Sequence, residues 1–104
     1  MNTSNVVLSE AVYYILLVLM EPLHGYGIMQ KTAELSGGRL IISAGTLYGA
    51  ISSLIEKGWI LPVKCDDISR RKEYVITPEG RSVLEVELDR LKELVRNGED
   101  ILNK

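Results

Sequence analysis

Two short apolar segments flank a polar stretch in the second half of the chain. Trp59 to Lys64 and Lys72 to Ile76 contain valine and isoleucine, and the residues between them read "CDDISRR". Because β-branched residues favour strands and polar runs favour turns, this pattern predicts a hairpin with a long tip. The fold must therefore accommodate one hairpin in a chain whose other segments indicate helices.

Apolar residues at helical spacing predict three helices before the hairpin and one after it. The first expected helix has Ser9 as its cap and runs to about Met20, and the second runs from about Gly25 to Leu35. The third has Ser43 as its cap and ends at Gly58. The last has Thr77 as its cap and Pro78 in its first position, and it runs toward the end of the chain. The first helix is apolar on every side and must be covered from more than one direction. Asn97-Gly98 could stop or kink the last helix, so residues 99–104 stay undecided.

Composition excludes several classes of protein. Hydrophobic residues make up 46% of the 104 residues and charged residues 25%, which is typical of a globular protein. One cysteine and one histidine exclude a disulfide framework and a structural zinc site, so we expect no metal and no cofactor. The longest apolar run, Ala11 to Met20, is too short to span a bilayer. With no secretory signal visible, we expect a cytoplasmic protein.

The third helix has an unusual outer face. Leu47, Ile51, Leu54 and Ile55 share one side and are expected to be buried. The opposite side carries small and polar residues, namely Gly45, Thr46, Tyr48, Gly49, Ser52 and Ser53. Glycine costs about 1 kcal/mol in a helix interior relative to alanine, so its repeated use here needs a reason. Small residues would let this helix approach another backbone closely.

Three helices followed by a hairpin is the element order of the winged helix-turn-helix, whose third helix enters the DNA major groove. We expect a mainly α fold, with a winged helix-turn-helix domain at residues 1–80 and a dimerisation helix at residues 81–104. The net charge is −2, but residues 31–72 hold seven Lys or Arg against four Asp or Glu. The basic residues of the hairpin suit phosphate contact. The predicted DNA-binding residues are Ser43, Gly45, Thr46, Tyr48, Gly49, Ser52, Lys64, Arg70, Arg71 and Lys72.

The last helix carries an apolar seam. Leu84, Leu88, Leu91, Val95 and Leu102 repeat in steps of four and three, with Gly98 in the missing place. Such a heptad pattern predicts pairing with another helix, here the same helix of a second chain. The predicted dimer interface consists of Tyr13, Leu17, Leu84, Leu88, Leu91 and Val95. Tyr13 and Tyr14 are the best candidates to line a cavity at this interface.

The segments "PLHGYGIMQ", "ELSGGR", "SAGTLYGAISSLIEKGWI" and "RRKEYVITPEGR" together resemble the PadR family of bacterial transcriptional regulators, from about Ile15 to Arg81. The resemblance implies that Ser43, Gly45, Thr46 and Tyr48 belong to the recognition helix, and that Arg70, Arg71 and Lys72 belong to the wing. It also implies dimerisation through a single last helix, as in the short subfamily. Most members are repressors, and phenolic acids or lipophilic compounds release some of them from DNA. Ala44 and Gly49 stand where the family often has proline.

We therefore expect a homodimeric regulator of transcription that represses by binding a palindromic site in double-stranded DNA. Whether a small lipophilic or phenolic effector releases it from DNA stays open. The alternative is a winged-helix module that binds protein through the same faces. The basic hairpin favours DNA. No catalytic constellation is expected, because the carboxylates are scattered along the chain and His24 reads as a helix-start or turn residue. Cys65 lies beside Asp66 and Asp67, which would raise its pKa and blunt its reactivity.

Overall fold

The structure is a computed structural model that describes residues 7–63 and 72–104. Its elements follow in the order α1 (Glu10–Val18), β1 (Leu23–His24), α2 (Gly25–Leu35), α3 (Ala44–Glu56), β2 (Ile60–Val63), β3 (Glu73–Ile76) and α4 (Pro78–Leu102). The mainly helical winged fold predicted from the sequence is confirmed. Lys64, Arg70 and Arg71, predicted to bind DNA, lie outside the described residues, as does Cys65.

The sheet contains one strand that the sequence did not predict. β3 lies in the middle, with the hairpin partner β2 on one side and β1 on the other, both antiparallel. Leu23 of β1 pairs with Tyr74, and Ile60 of β2 pairs with Ile76. A strand of two residues has no measurable periodicity, which is why the pattern of the sequence could not reveal it.

Hydrogen bonds fasten the base of the hairpin to the helices around it. The Ile76 N–H donates to the Leu19 carbonyl at 2.9 Å, just after α1 ends. The Thr77 N–H donates to the Trp59 carbonyl at 2.9 Å, and its hydroxyl donates to the Gly58 carbonyl at 2.7 Å. Gly58 has φ +79°, a left-handed conformation that terminates α3 and favours glycine. The wing is thus anchored at its base on both sides.

Two helix ends differ from the expectation. α1 ends at Val18 rather than near Met20, because Leu19 leaves the helical conformation and its carbonyl bonds to β3. α4 continues through Asn97 and Gly98 to Leu102, so this pair does not stop the helix. One glycine lowers helix stability by about 1 kcal/mol, which a helix of 25 residues tolerates.

The core lies between the first three helices, the sheet and the start of α4. Its fully buried large side chains are almost all aliphatic, as the absence of phenylalanine requires: Ile15, Leu16, Leu19, Ile28, Leu47, Leu54, Ile60 and Val83. The molecule measures 59 × 35 × 21 Å, an elongated shape. Most side chains after Leu91 in α4 are exposed, so this half of the helix projects from the body of the domain.

Candidate nucleic-acid interface

The front of α3 is built by a hydroxyl cap. The Ser43 Oγ accepts a hydrogen bond from the Thr46 N–H at 3.3 Å and donates to the Thr46 Oγ1 at 3.1 Å. Ser43 and Thr46 are both exposed. The N-terminus of a 13-residue helix carries partial positive charge, and exposed N–H and hydroxyl groups there can bind an anion.

The outer face of α3 is open. Gly45, Gly49 and Ser52 are exposed, and within the described chain no heavy atom lies within 4 Å of the position that a Cβ at either glycine would occupy. A flat, uncovered backbone of this kind can approach another surface closely. The two glycines therefore leave space on the outside of the domain, not inside it.

The buried face of α3 is narrower than the helical wheel predicts. Leu47, Ile51 and Leu54 are buried as expected. Ile55 was predicted to join them, but its side chain is 37% exposed, so that expectation was wrong. It lies on the flank of the stripe, where the neighbouring elements do not reach it.

Tyr48 lies at the edge of the open face. Its side chain is 48% exposed, but its hydroxyl end rests against Gly25, at the start of α2. Tyr74 of β3 is also near, since burial first and Tyr48 second raise the pKa of Tyr74. The sequence placed Tyr48 on the DNA-facing side, and only the structure relates it to α2 and the sheet.

The described part of the wing supplies one basic residue, Lys72, which is exposed directly before β3.

His24, expected to be a helix-start residue, is confirmed as the cap of α2, because its Nδ1 accepts a hydrogen bond from the Gly27 N–H at 3.1 Å.

The predicted dimer residues divide into two groups. Leu17, Leu88 and Val95 are exposed, while Tyr13 and Leu91 are half-buried, so these five remain available in whole or in part. Leu84 is only 6% exposed and packs in the core of its own chain. Little of Leu84 is left for a second chain, because α4 uses the first turns of its apolar seam to cover its own domain.

A cavity of about 290 Å³ lies between α1 and α4. It is lined by Leu8, Glu10, Tyr13, Tyr14, Glu87, Arg90 and Leu91. Tyr13 and Tyr14 were expected to line a cavity, and they meet edge to face with their ring centroids 6.1 Å apart. Apolar, aromatic and charged groups are therefore combined in one concave surface.

The sequence did not reveal the buried carboxylate of Glu87. Only 2% of this residue is exposed, and its two oxygens accept hydrogen bonds from Arg90 Nε at 2.7 Å and Arg90 Nη2 at 2.8 Å. The guanidinium, helped by the Leu8 N–H, lowers the pKa of Glu87 despite its burial. The spacing of three residues between Glu87 and Arg90 was the available signal, although such pairs are usually exposed.

Other kinds of site find no support in residues 7–63 and 72–104. No group of three histidine, cysteine, aspartate or glutamate side chains there could hold a metal ion. Within the same ranges, no helix is long and apolar enough to cross a membrane.

Comparison with known proteins agrees with this geometry. Residues 15–86 match the Transcriptional regulator PadR-like family. A PadR-like transcription factor from Bacteroides fragilis is 31% identical, with a TM-score of 0.73 over 86% of this chain and 87% of that one. A PadR family transcriptional regulator from Eggerthella lenta is 29% identical, with a TM-score of 0.71 over 89% and 80%.

A curated relative is much longer than this chain. An uncharacterized 37.1 kDa protein in a transposon of Streptomyces fradiae is 39% identical over 66 residues, which are 64% of this chain and 18% of that protein. The family match covers more than half of the chain, and members of this family regulate transcription rather than catalyse reactions. The chain belongs to the PadR-like family of transcriptional regulators.

Proposed function

We propose that this regulator is a homodimeric repressor that reads a palindromic operator with α3 and holds the flanking backbone with its wing. One observation carries the proposal. Gly45 and Gly49 present bare backbone on the exposed face of α3, next to the hydroxyls of Ser43 and Thr46. A helix that lies in the major groove needs this closeness for contacts to base edges and phosphates.

The wing supplies the electrostatic part of the proposal. Lys72 is exposed beside β3, and the preceding segment contributes Lys64, Arg70 and Arg71 by sequence. Each Lys or Arg that neutralises a phosphate strengthens binding without regard to sequence and makes it sensitive to salt. In this assignment Ser52 and Tyr48, farther along α3, contribute to recognition of the bases.

The proposed dimer rests on the apolar side chains that α4 leaves exposed. Leu88, Leu94, Val95, Ile101 and Leu102 expose large apolar side chains along a helix that one domain does not cover. Pairing of this helix with its copy, and with the copy's Tyr13 and Leu17, would bury these side chains around a twofold axis. Twofold symmetry would present two recognition helices about 34 Å apart, which matches one turn of DNA.

Repression and release complete the proposal. A dimer seated on promoter DNA would hinder the binding of RNA polymerase, and such a regulator acts in the cytoplasm where the genome lies. The cavity between α1 and α4, with Tyr13 and Tyr14 in its wall, has room for a small lipophilic or phenolic effector. Because α1 packs on α4, a ligand in this cavity would change the position of the two DNA-binding domains relative to each other.

Selection of bound fragments from the host genome tests the proposal directly. Purified protein is incubated with sheared genomic DNA, and bound fragments are sequenced against an unselected control. The expected result is one enriched inverted repeat whose halves lie about 10 bp apart from centre to centre. Enrichment without any common motif, or no retention of DNA at low salt, would contradict the proposal and favour a module that binds protein.

A further inference from the structure

Gly25 is buried at the first position of α2, and its backbone does not explain why it is a glycine. Among the described glycines, positive φ angles occur at Gly37, Gly38 and Gly58. Gly25 is a helical residue outside that set, so any L residue could adopt its backbone conformation. The reason for a glycine here must lie in the space around it.

Tyr48 occupies that space. A methyl group built on Gly25 would overlap the Tyr48 hydroxyl and would lie 2.8 Å from the Tyr48 Cζ, which is closer than van der Waals contact allows. Gly27, two residues later in the same helix, behaves differently. A methyl group there would lie 3.5 Å from the Leu23 Cδ2 and 3.6 Å from the His24 Cε1, both ordinary contacts. The missing side chain of Gly25 therefore leaves a space that the end of the Tyr48 side chain fills.

Tyr48 also lies near the central strand of the sheet. Tyr74 of β3 is buried and pairs with Leu23 of β1 and with Pro62 of β2. Burial raises the pKa of Tyr74, and the charge of Tyr48 adds to this shift. The Tyr48 side chain thus connects α3 with the start of α2.

Such a contact matters because it lies near the beginning of α3, whereas the hydrogen bond from Thr77 to the Gly58 carbonyl holds the other end of the helix. Leu47, Ile51 and Leu54 are its buried residues, and apolar contacts along one stripe resist a small roll of the helix only weakly. Hydrogen bonds to base edges need donor–acceptor distances of about 2.7–3.2 Å, so a small roll would spoil them. Contacts to phosphates by flexible side chains on the wing tolerate more movement.

We propose that Gly25 is a positioning residue for DNA recognition: its missing side chain admits the Tyr48 hydroxyl, and this contact sets the orientation of α3 relative to α2. The inference rests on the proposed role of α3 in reading DNA. It assigns to Gly25 an effect on specificity, although Gly25 itself touches no base.

The test compares Gly25→Ala with the matched control Gly27→Ala. Both are measured in fluorescence anisotropy with the fragment most enriched in the genomic selection and with a scrambled duplex of equal length. Gly25→Ala should lose roughly tenfold in affinity for the enriched fragment, the loss of about one base contact. Its affinity for the scrambled duplex should stay within about twofold, because phosphate contacts persist. Gly27→Ala should match the wild type on both duplexes.

A double variant separates this role from a general loss of folding. With Tyr48→Ala as the background, Gly25→Ala should have no further effect on DNA affinity or on the urea midpoint, because the side chain that it displaces is gone. If Gly25→Ala alone fails to fold, the double variant decides: folding and binding like Tyr48→Ala supports the inference, and failure to fold overturns it. Additive losses on both duplexes would also overturn it.

The outcomes distinguish this inference from the proposed function. If the wild type prefers the enriched fragment and Gly25→Ala keeps that preference, the positioning role is wrong while the proposed function stands. If the wild type itself shows no preference for any duplex, the proposed reading of DNA by α3 fails, and the positioning role fails with it.

Discussion

The backbone N–H of Leu8 donates a hydrogen bond of 3.2 Å to the buried carboxylate of Glu87, which lies 79 residues later in the chain. The two hydrogen bonds from Arg90 hold the same carboxylate in place. The segment before α1 is therefore fastened to α4, the helix proposed to form the dimer. This connection adds the segment before α1 to the apolar contacts that Val83 and Leu84 of α4 make with the core.

Glu87→Gln should lower the free energy of unfolding by about 1–3 kcal/mol, because hydrogen bonds to a charged acceptor are lost or weakened in a buried place. Glu85→Gln is the matched control. Glu85 pairs with Arg81 at 3.2 Å on an exposed surface, so its loss should cost about 0.5 kcal/mol or less. Urea unfolding of both variants measures the difference. Equal effects would show that burial of Glu87 contributes nothing to stability.

The stability due to Glu87 should depend on pH in one direction. Arg90 lowers the pKa of Glu87 in the folded protein, so the carboxylate stabilises the fold fully above the unfolded value of about 4.3. That contribution is lost as the pH falls through the lower folded value. The gap in unfolding free energy between wild type and Glu87→Gln should therefore shrink on acidification.

Urea unfolding at steps from pH 7 to pH 3 checks this dependence. Glu10, whose pKa is also lowered by its pairing with Arg39, is present in both proteins, so its own titration cancels in the comparison. A gap that stays constant across the whole range would contradict the assignment of the pH dependence to Glu87.

Gly49→Leu should separate folding from DNA binding. The glycine faces open space, so the leucine fits without collision and should stabilise α3 by up to about 0.8 kcal/mol through its higher helix propensity. It should nevertheless reduce operator affinity by more than about tenfold, because the backbone of α3 can no longer approach the bases. Ser82→Leu, at an exposed position of α4, is the control for adding an apolar side chain. Wild-type DNA affinity in Gly49→Leu would exclude this face of α3 from the interface.

Lys72→Ala should weaken binding to operator and to unrelated duplex alike. Loss of one phosphate contact reduces the slope of log affinity against log salt by about one unit. Lys104→Ala, at the far end of the chain, should leave the slope unchanged. Titrations at several salt concentrations provide the slopes. An effect of Lys72→Ala confined to the operator would instead indicate a base contact.

Val95→Glu should convert the dimer to a monomer without unfolding it. Val95 is 57% exposed in the single chain, so its replacement disturbs only a surface that a second chain would cover. Leu91 is a less clean target, because it is half-buried against its own domain. Glu93→Lys, on the opposite side of α4, is the control and should remain dimeric. Sedimentation at micromolar concentration measures the mass, and a dimeric Val95→Glu variant would place the interface elsewhere.

The apolar seam of α4 illustrates where reasoning from sequence stops. The heptad spacing identified the residues of α4 that share an apolar face, but it could not say which protein surface each residue would cover. Leu84 went to the core of its own chain, whereas Val95, eleven residues later, stayed exposed. Periodicity records which residues share a face, and it carries no information on how far along the helix the domain extends.

The sequence by itself determined the order of the four helices and the hairpin, and the beginnings of the helices. Ser9, Ser43 and Thr77 cap α1, α3 and α4 as predicted, because a cap depends on residues only three positions apart. Only the tertiary structure decided the addition of β1 to the sheet, the burial of Glu87 beside Leu8, and the contact of the Tyr48 hydroxyl with Gly25. Each of these joins segments that are distant in the chain. Local spacing cannot specify such pairings, because they arise only when the packing of the whole domain brings the two surfaces together.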